Sequence, residues 1–197
     1  MKALKPVFAL LSALLSALLP ALLLAGCDCM FASGETSWQE EVQLSSGTKI
    51  WVKRTAKGEA SCQLGGPNSY EVNERELEVI ASAGLPVPPK WSSEWRDMVL
   101  DRDKDGTWYL VVTTSSPVNW ISDLKYAQFK AIDGRWQQVE FDKSLDGRKA
   151  NLEYTLKAGK MPEKIFLSEK PLGMHRDDFY RDVPSRYRAI NLDAKHW

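Results

Sequence analysis

Residues 101–106 read Asp-Arg-Asp-Lys-Asp-Gly, the one stretch whose spacing could gather a metal ion. Asp101, Asp103 and Asp105 alternate, so three carboxylates can converge on one hard cation, and Gly106 permits the sharp turn that calcium loops need. Two departures weigh against calcium. The twelfth position of such a loop is Val112, where a bidentate Glu is required, and the flanking residues read as strands, not helices. A polar hairpin turn, where Asp and Gly are favoured for local hydrogen bonding and positive φ, explains the stretch better. No metal is therefore expected. Imidazole chemistry is scarce. His175 and His196 are the two histidines, and His175-Arg176-Asp177-Asp178 reads as a solvated helix start, where acidic groups are stabilising. No nucleophile elbow, zinc-binding helix motif or phosphate-cradling glycine loop is present. Neither an enzyme nor a cofactor is expected from these residues.

What must position the rest is the first stretch of the chain. Lys2 and Lys5 precede an apolar run over residues 7–26, which closes on Leu24-Ala25-Gly26-Cys27. A basic start, an apolar middle and small residues at the cut make an export signal. Leu24-Ala25-Gly26-Cys27 resembles the lipobox of bacterial lipoproteins. The resemblance implies that Cys27 is acylated, that residues 1–26 are removed, and that palmitate-like chains hold the protein to a membrane. The competing reading is an uncleaved helix, since about 20 apolar residues span a bilayer. The Cys placed directly after Leu-Ala-Gly favours cleavage. In both readings Lys2 and Lys5 stay cytoplasmic and the body crosses to the outer side. Asp28 resembles the sorting residue that retains enteric lipoproteins, which implies the periplasmic face of the inner membrane.

Lipidation of Cys27 leaves Cys29 and Cys62 in an oxidising compartment, where disulfides persist. An even remainder is what one bridge requires. Cys29 lies close to the lipid in a tether, however, and a bridge needs Cα atoms within about 7 Å. A buried Cys62 acting as a small apolar residue fits equally well.

Beyond the signal the chain has the size of one domain, enough to bury a core. Lys and Arg total 26 and Asp and Glu total 26, so the loss of Lys2 and Lys5 leaves a slightly acidic body. No basic surplus exists to hold phosphates, which excludes nucleic acid as the expected partner. The eight Trp are spread over the body, as core packing requires; an aromatic binding face is the sharper alternative.

Residues 27–37 read as a lipidated tether and 38–197 as a single periplasmic β-rich domain. Val42 and Leu44, then Ile50 and Val52, alternate with polar neighbours on either side of a Gly47-containing turn, which is hairpin grammar. The same stretch, W-x-E-E-V-x-L-x-x-G-x-K-I-x-V-x-R over residues 38–54, resembles the opening of a group of exported proteobacterial proteins, and that resemblance implies no activity. Residues 55–68 read as a loop and 76–82 as a strand. Residues 84–89 must be extended, because each Pro fixes its own φ and restricts its predecessor. Hairpins are expected at 98–112 and at 126–141, the latter turning on Asp133-Gly134. Residues 151–156 and 164–168 are further strands, and a short C-terminal helix begins near His175. The expected fold is mainly β: antiparallel hairpins forming a sandwich, open barrel or meander. The expected function is a membrane-anchored binding module for an envelope or incoming protein partner. The alternatives are an envelope-modifying enzyme and a purely structural envelope component.

Overall fold

A computed structural model of the chain describes residues 33–61, 69–114, 126–152, 162–170 and 189–193. By contacts the chain divides into two units, Met1–Gly34 with Gly58–Glu71, and Glu35–Lys57 with Val72–Trp197. In the first, the described residues are strand ends. The second holds the core and every site considered below.

Among the described residues the strands are β1 (Ser33–Gln43), β2 (Lys49–Ser61), β3 (Ser69–Ala81), β4 (Trp91–Ser93), β5 (Arg96–Arg102), β6 (Trp108–Thr113), β7 (Tyr126–Ile132), β8 (Arg135–Val139) and β9 (Lys164–Ile165). They form two sheets, ordered β4-β3-β2-β1-β9 and β5-β6-β7-β8. The chain runs through the first sheet as a meander, crosses to the second, and returns to add β9. The mainly β, sandwich-like fold expected from the sequence is therefore the observed one. One pairing departs from the antiparallel expectation, because β9 lies parallel to β1 with Gln39 opposite Lys164.

Period-two burial builds the sandwich. Val42 and Leu44 from β1 and its turn, Ile50 and Val52 from β2, and Leu77 and Val79 from β3 meet Leu100, Leu110 and Val112 from the second sheet. Burying each such side chain contributes about 1.5–3 kcal/mol. Trp91 packs on Phe129 and Trp136 at 4.6 and 6.0 Å between ring centres, and Trp38 and Trp108 are buried as well. These tryptophans serve the core. Trp120 and Trp197 lie outside the described residues. A third layer covers the outer face of the second sheet. Met98, Val99, Tyr109, Val111 and Tyr126 pack there against Ala150 and Ile190, and Ile190 exchanges backbone hydrogen bonds with Gly147 and Arg148.

The turns follow their chemistry. Leu44 N–H donates to Thr48 across Gly47, whose φ is +85°. Asp133 and Gly134, at φ +51° and +73°, close the β7–β8 hairpin as a two-residue turn with both centres left-handed. Elsewhere the boundaries shift. Strand β1 begins at Ser33, inside the stretch expected as tether. Strand β2 continues to Ser61, through residues expected as loop, and β3 begins at Ser69, seven residues before the expected start. Gly, Ser and Glu in these stretches carry little strand propensity, and pairing with a long neighbour overrides it. Residues 151–152 are irregular, and β9 ends at Ile165 in a 3-10 turn, Leu167–Glu169. Most of the strand expected at 151–156 and the whole helix expected near His175 lie outside the described residues.

Candidate functional site

Charged residues sit inside the sandwich in phase with its core. Strand β1 presents Trp38, Glu40 and Val42 inward, and β2 presents Val52, Arg54 and Ala56. A β-bulge adds the third charge. Between Asp97 and Val99 the β5–β6 register slips, so Met98 is the extra residue. Val99 opposes Val111 of the outer layer, whereas Asp97 opposes Val112 of the central core. Without the bulge Asp97 would share the face of Val99; with it, the carboxylate turns inward.

Arg54 joins the two acids. Its Nη1 donates to Glu40 Oε1 at 3.0 Å and its Nε lies 2.8 Å from Asp97 Oδ2. The second pair is close but poorly aligned, and Asp97 Oδ1 has no hydrogen-bond partner among the described residues. Lys170, from the end of the 3-10 turn, reaches Glu40 Oε2 at 3.3 Å and donates to the Asn151 carbonyl at 2.9 Å. Among the described residues two cations thus face two anions, all nearly inaccessible to water, with Glu40 at 0% exposure. The Arg54 guanidinium also lies 4.9 Å from the Trp38 ring centre, a cation–π distance. Burial alone would push the Arg54 pKa down, but Asp97 and Glu40 outweigh it and raise it, so the guanidinium stays charged.

Asn151 closes the seam between the sheets. Its amide side chain satisfies both backbone groups of Leu100, accepting from N–H at 3.0 Å and donating to C=O at 2.8 Å. It imitates a neighbouring strand on the β5 edge. The same Nδ2 donates to Gln43 C=O of β1 at 3.1 Å, and the bulge carbonyl of Met98 accepts from Asn151 and Leu152 N–H.

Beside Asn151 lies a groove of about 380 Å³, lined by the β1–β2 turn at Leu44, Ser45 and Gly47 and by residues 148–151 and Leu167. Asp101 fixes its wall. This buried carboxylate accepts Ser45 N–H at 3.1 and 3.0 Å, Ser45 Oγ–H at 3.1 Å, its neighbour Arg102 N–H at 2.8 Å, and the Arg148 guanidinium. Asp101 in turn disfavours a second anion nearby. Burial first, then Asp101, pushes the Tyr109 phenol up to about 12.

The three carboxylates of the candidate calcium loop are thereby separated. Asp101 points into the wall, Asp103 pairs with Lys130 at 2.6 Å, and Asp105 accepts Thr107 N–H at 2.8 Å. Gly106, at φ +90°, makes the turn, and Arg102 Nε donates to its carbonyl. No group of three or more potential metal ligands occurs among the described residues. Cys27, Asp28, Cys29, Cys62, His175 and His196 all lie outside them.

Sequence reasoning missed Glu40, Arg54, Asp97, Asn151 and Lys170. A signal existed for two. Glu40 and Arg54 fall on the apolar phase of their strands, between Trp38 and Val42 and between Val52 and Ala56, and opposite charges in phase on paired strands invite pairing. Comparison with protein-family models, curated proteins and solved structures gives no match in any of the three.

Proposed function

We propose that the chain is an exported, lipid-anchored envelope protein whose β-sandwich binds a protein partner at the periplasmic face of the inner membrane. The lipobox ending at Cys27 supports the anchor and Asp28 the location. One structural observation supports binding over catalysis. Two of the three buried acids among the described residues are held by several donors: Asp101 accepts from Ser45, Arg102 and Arg148, and Glu40 accepts from Arg54 and Lys170, while the third, Asp97, lies 2.8 Å from the Arg54 guanidinium. Groups held in fixed ion pairs stabilise a shape; a general acid or base must be free to exchange its proton with a substrate.

Recovery of the full chain from detergent-solubilised membranes of its source cells tests the reading. A stoichiometric protein partner is expected. Turnover of an envelope substrate that His175→Ala abolishes would replace binding with catalysis. The anchor is tested by Cys27→Ser, which should leave the precursor unlipidated while the β-sandwich still folds. If the variant stayed fully membrane-bound after its signal was shown to be cut, the lipid model would be wrong.

A further inference from the structure

Residues 85–90 read Leu-Pro-Val-Pro-Pro-Lys and bridge β3 to β4. Prolines at 86, 88 and 89 fix their own φ and hold Leu85, Val87 and Pro88 out of the helical region. No cis peptide bond occurs among the described residues. Extended backbone fixed by prolines in this way turns once every three residues, as polyproline II does. Pro88 is buried, Leu85 and Pro89 are half-buried, and Pro86, Val87 and Lys90 are exposed. Leu85 packs against the central core, while Val87, at 60%, is the most exposed large apolar side chain among the described residues.

The ridge is held from beneath. Trp108 Nε1 donates to Pro86 C=O at 2.7 Å and Trp136 Nε1 donates to Pro89 C=O at 2.8 Å, one polyproline turn apart. Leu85 N–H returns to Ser82 C=O, and Lys90 pairs with Glu76 at 2.9 Å. A segment pinned at both ends has already lost most of its conformational entropy, so a partner need not order it. Its position fits contact with another molecule. Trp108 and Trp136 start beside the 103–107 and 133–134 turns, and Asp101 ties the former to the 44–48 turn. The ridge therefore shares one end of the sandwich with these hairpin turns. Strand β1 enters this unit at Glu35 and reaches that end about 27 Å later, at roughly 3.4 Å per residue.

We infer that residues 86–90 are a preformed polyproline II docking ridge for a partner protein with an aromatic-lined groove. The inference rests on the binding reading above and names its surface. Such grooves recognise proline ridges because the left-handed helix arrives ordered and offers apolar ribs, here the exposed Pro86 and Val87.

The test places a photoreactive benzophenone side chain, in separate full-length chains, at Val87, at Lys104 in a neighbouring turn, and at Lys149 in the groove. Each chain is irradiated in membranes of the source cells. A protein adduct is expected at 87 and not at 104, with the partner's attachment point mapping to a peptide bearing Trp, Tyr or Phe. Pro86→Ala/Pro89→Ala keeps both carbonyls that the tryptophans hold, and should cut the adduct at 87 at least tenfold. If near-ultraviolet circular dichroism shows that this variant unfolds, Val87→Asp with the probe moved to Lys90 answers the same question, with the same tenfold loss expected. A lipid adduct at 87, or a protein adduct indifferent to these substitutions or mapping to no aromatic residue, overturns the ridge. An adduct at 149 with none at 87 overturns the ridge and leaves the binding reading standing; no protein adduct at any position overturns both.

Discussion

Arg54 and Lys57 stand three residues apart on β2, and each bridges two carboxylates, yet they face opposite sides of the sheet. Arg54 points inward to Glu40 and Asp97, where the side chains are 4%, 0% and 1% exposed. Lys57 points outward to Glu74 at 3.3 Å and Glu76 at 2.8 Å, among half-exposed neighbours, and Lys90 and Ser92 complete that outer ladder. The chemistry is the same and the solvent is not. Outside, water and salt can replace any lost partner. Inside, nothing can, so the four charges form a unit in which each obliges the others to be present.

The sharpest way to break this comparison is to remove one inner charge. Arg54→Met should cost about 3–5 kcal/mol in urea unfolding, because it leaves Asp97 without its cation and Glu40 with one fewer. Replacing the whole set, with Glu40→Leu, Asp97→Leu and Lys170→Met added, should cost less than Arg54→Met alone, since the desolvation penalty then disappears with the charges. A quadruple variant weaker than the single one would mean that the ion pairs contribute net stability.

Asn151 comes next. Asn151→Ala leaves Leu100 N–H and C=O and Gln43 C=O without the amide, and each unmade buried hydrogen bond costs roughly 1–3 kcal/mol. A loss of about 2–3 kcal/mol is expected, allowing for water entering the adjoining groove. Faster hydrogen exchange at Leu100 would localise it to the seam.

The two networks also differ in how legible they were. The outer face was legible from alternation only in part: Lys49 and Lys53 fall on the exposed phase of a strand whose Ile50 and Val52 are buried, whereas Lys57 fell in the stretch expected as loop and Glu74 before the strand expected at 76–82. The hairpins were readable for the same reason, and β7 spans the expected residues because Asp133-Gly134 dictates its turn. Beyond Glu40 and Arg54, the inner network depends on long-range events that no local pattern encodes. A one-residue bulge at Met98 decides which way Asp97 faces. Asn151 and Lys170 arrive from irregular segments far along the chain, so their spacing to Glu40 carries no period. The 101–106 stretch, expected as a polar hairpin turn, forms that turn on its own local chemistry. Its carboxylates have separate partners: Asp101 takes Ser45, Asp103 takes Lys130, and Asp105 takes the N–H of Thr107 two residues on.

Tyr109 gives the buried side a pH signature. An unfolded phenol titrates near 10, whereas burial and then Asp101 push the folded one up to about 12. Below pH 10 both states hold the proton and stability is indifferent to this group. As pH rises from 10 to 12 the unfolded state ionises first, and stability falls by about 2–3 kcal/mol. Tyr109→Phe should lack that part of the decline, so the difference between the two unfolding curves should grow over this window. Parallel curves would place the phenol in solvent.

Lys57→Met should have the smallest effect, and its value lies in where the effect appears. Unfolding midpoints should match the parent in high salt, where exposed ion pairs are screened. The carboxylates should respond unequally. Glu76 is held below the usual carboxylate range first by the hydrogen bond from Lys57 and then by that from Lys90, whereas Glu74 is held there first by Ser92 and only then by Lys57. Their folded pKa values are depressed, so their stabilising contribution is present above the ordinary carboxylate range and is lost as pH falls through the folded values. Nuclear magnetic resonance titration of the variant should therefore show both values rising, with Glu76 losing its largest support and Glu74 keeping its own. If Lys57→Met instead unfolded the protein as Arg54→Met is expected to, burial would not be what separates the two faces of β2.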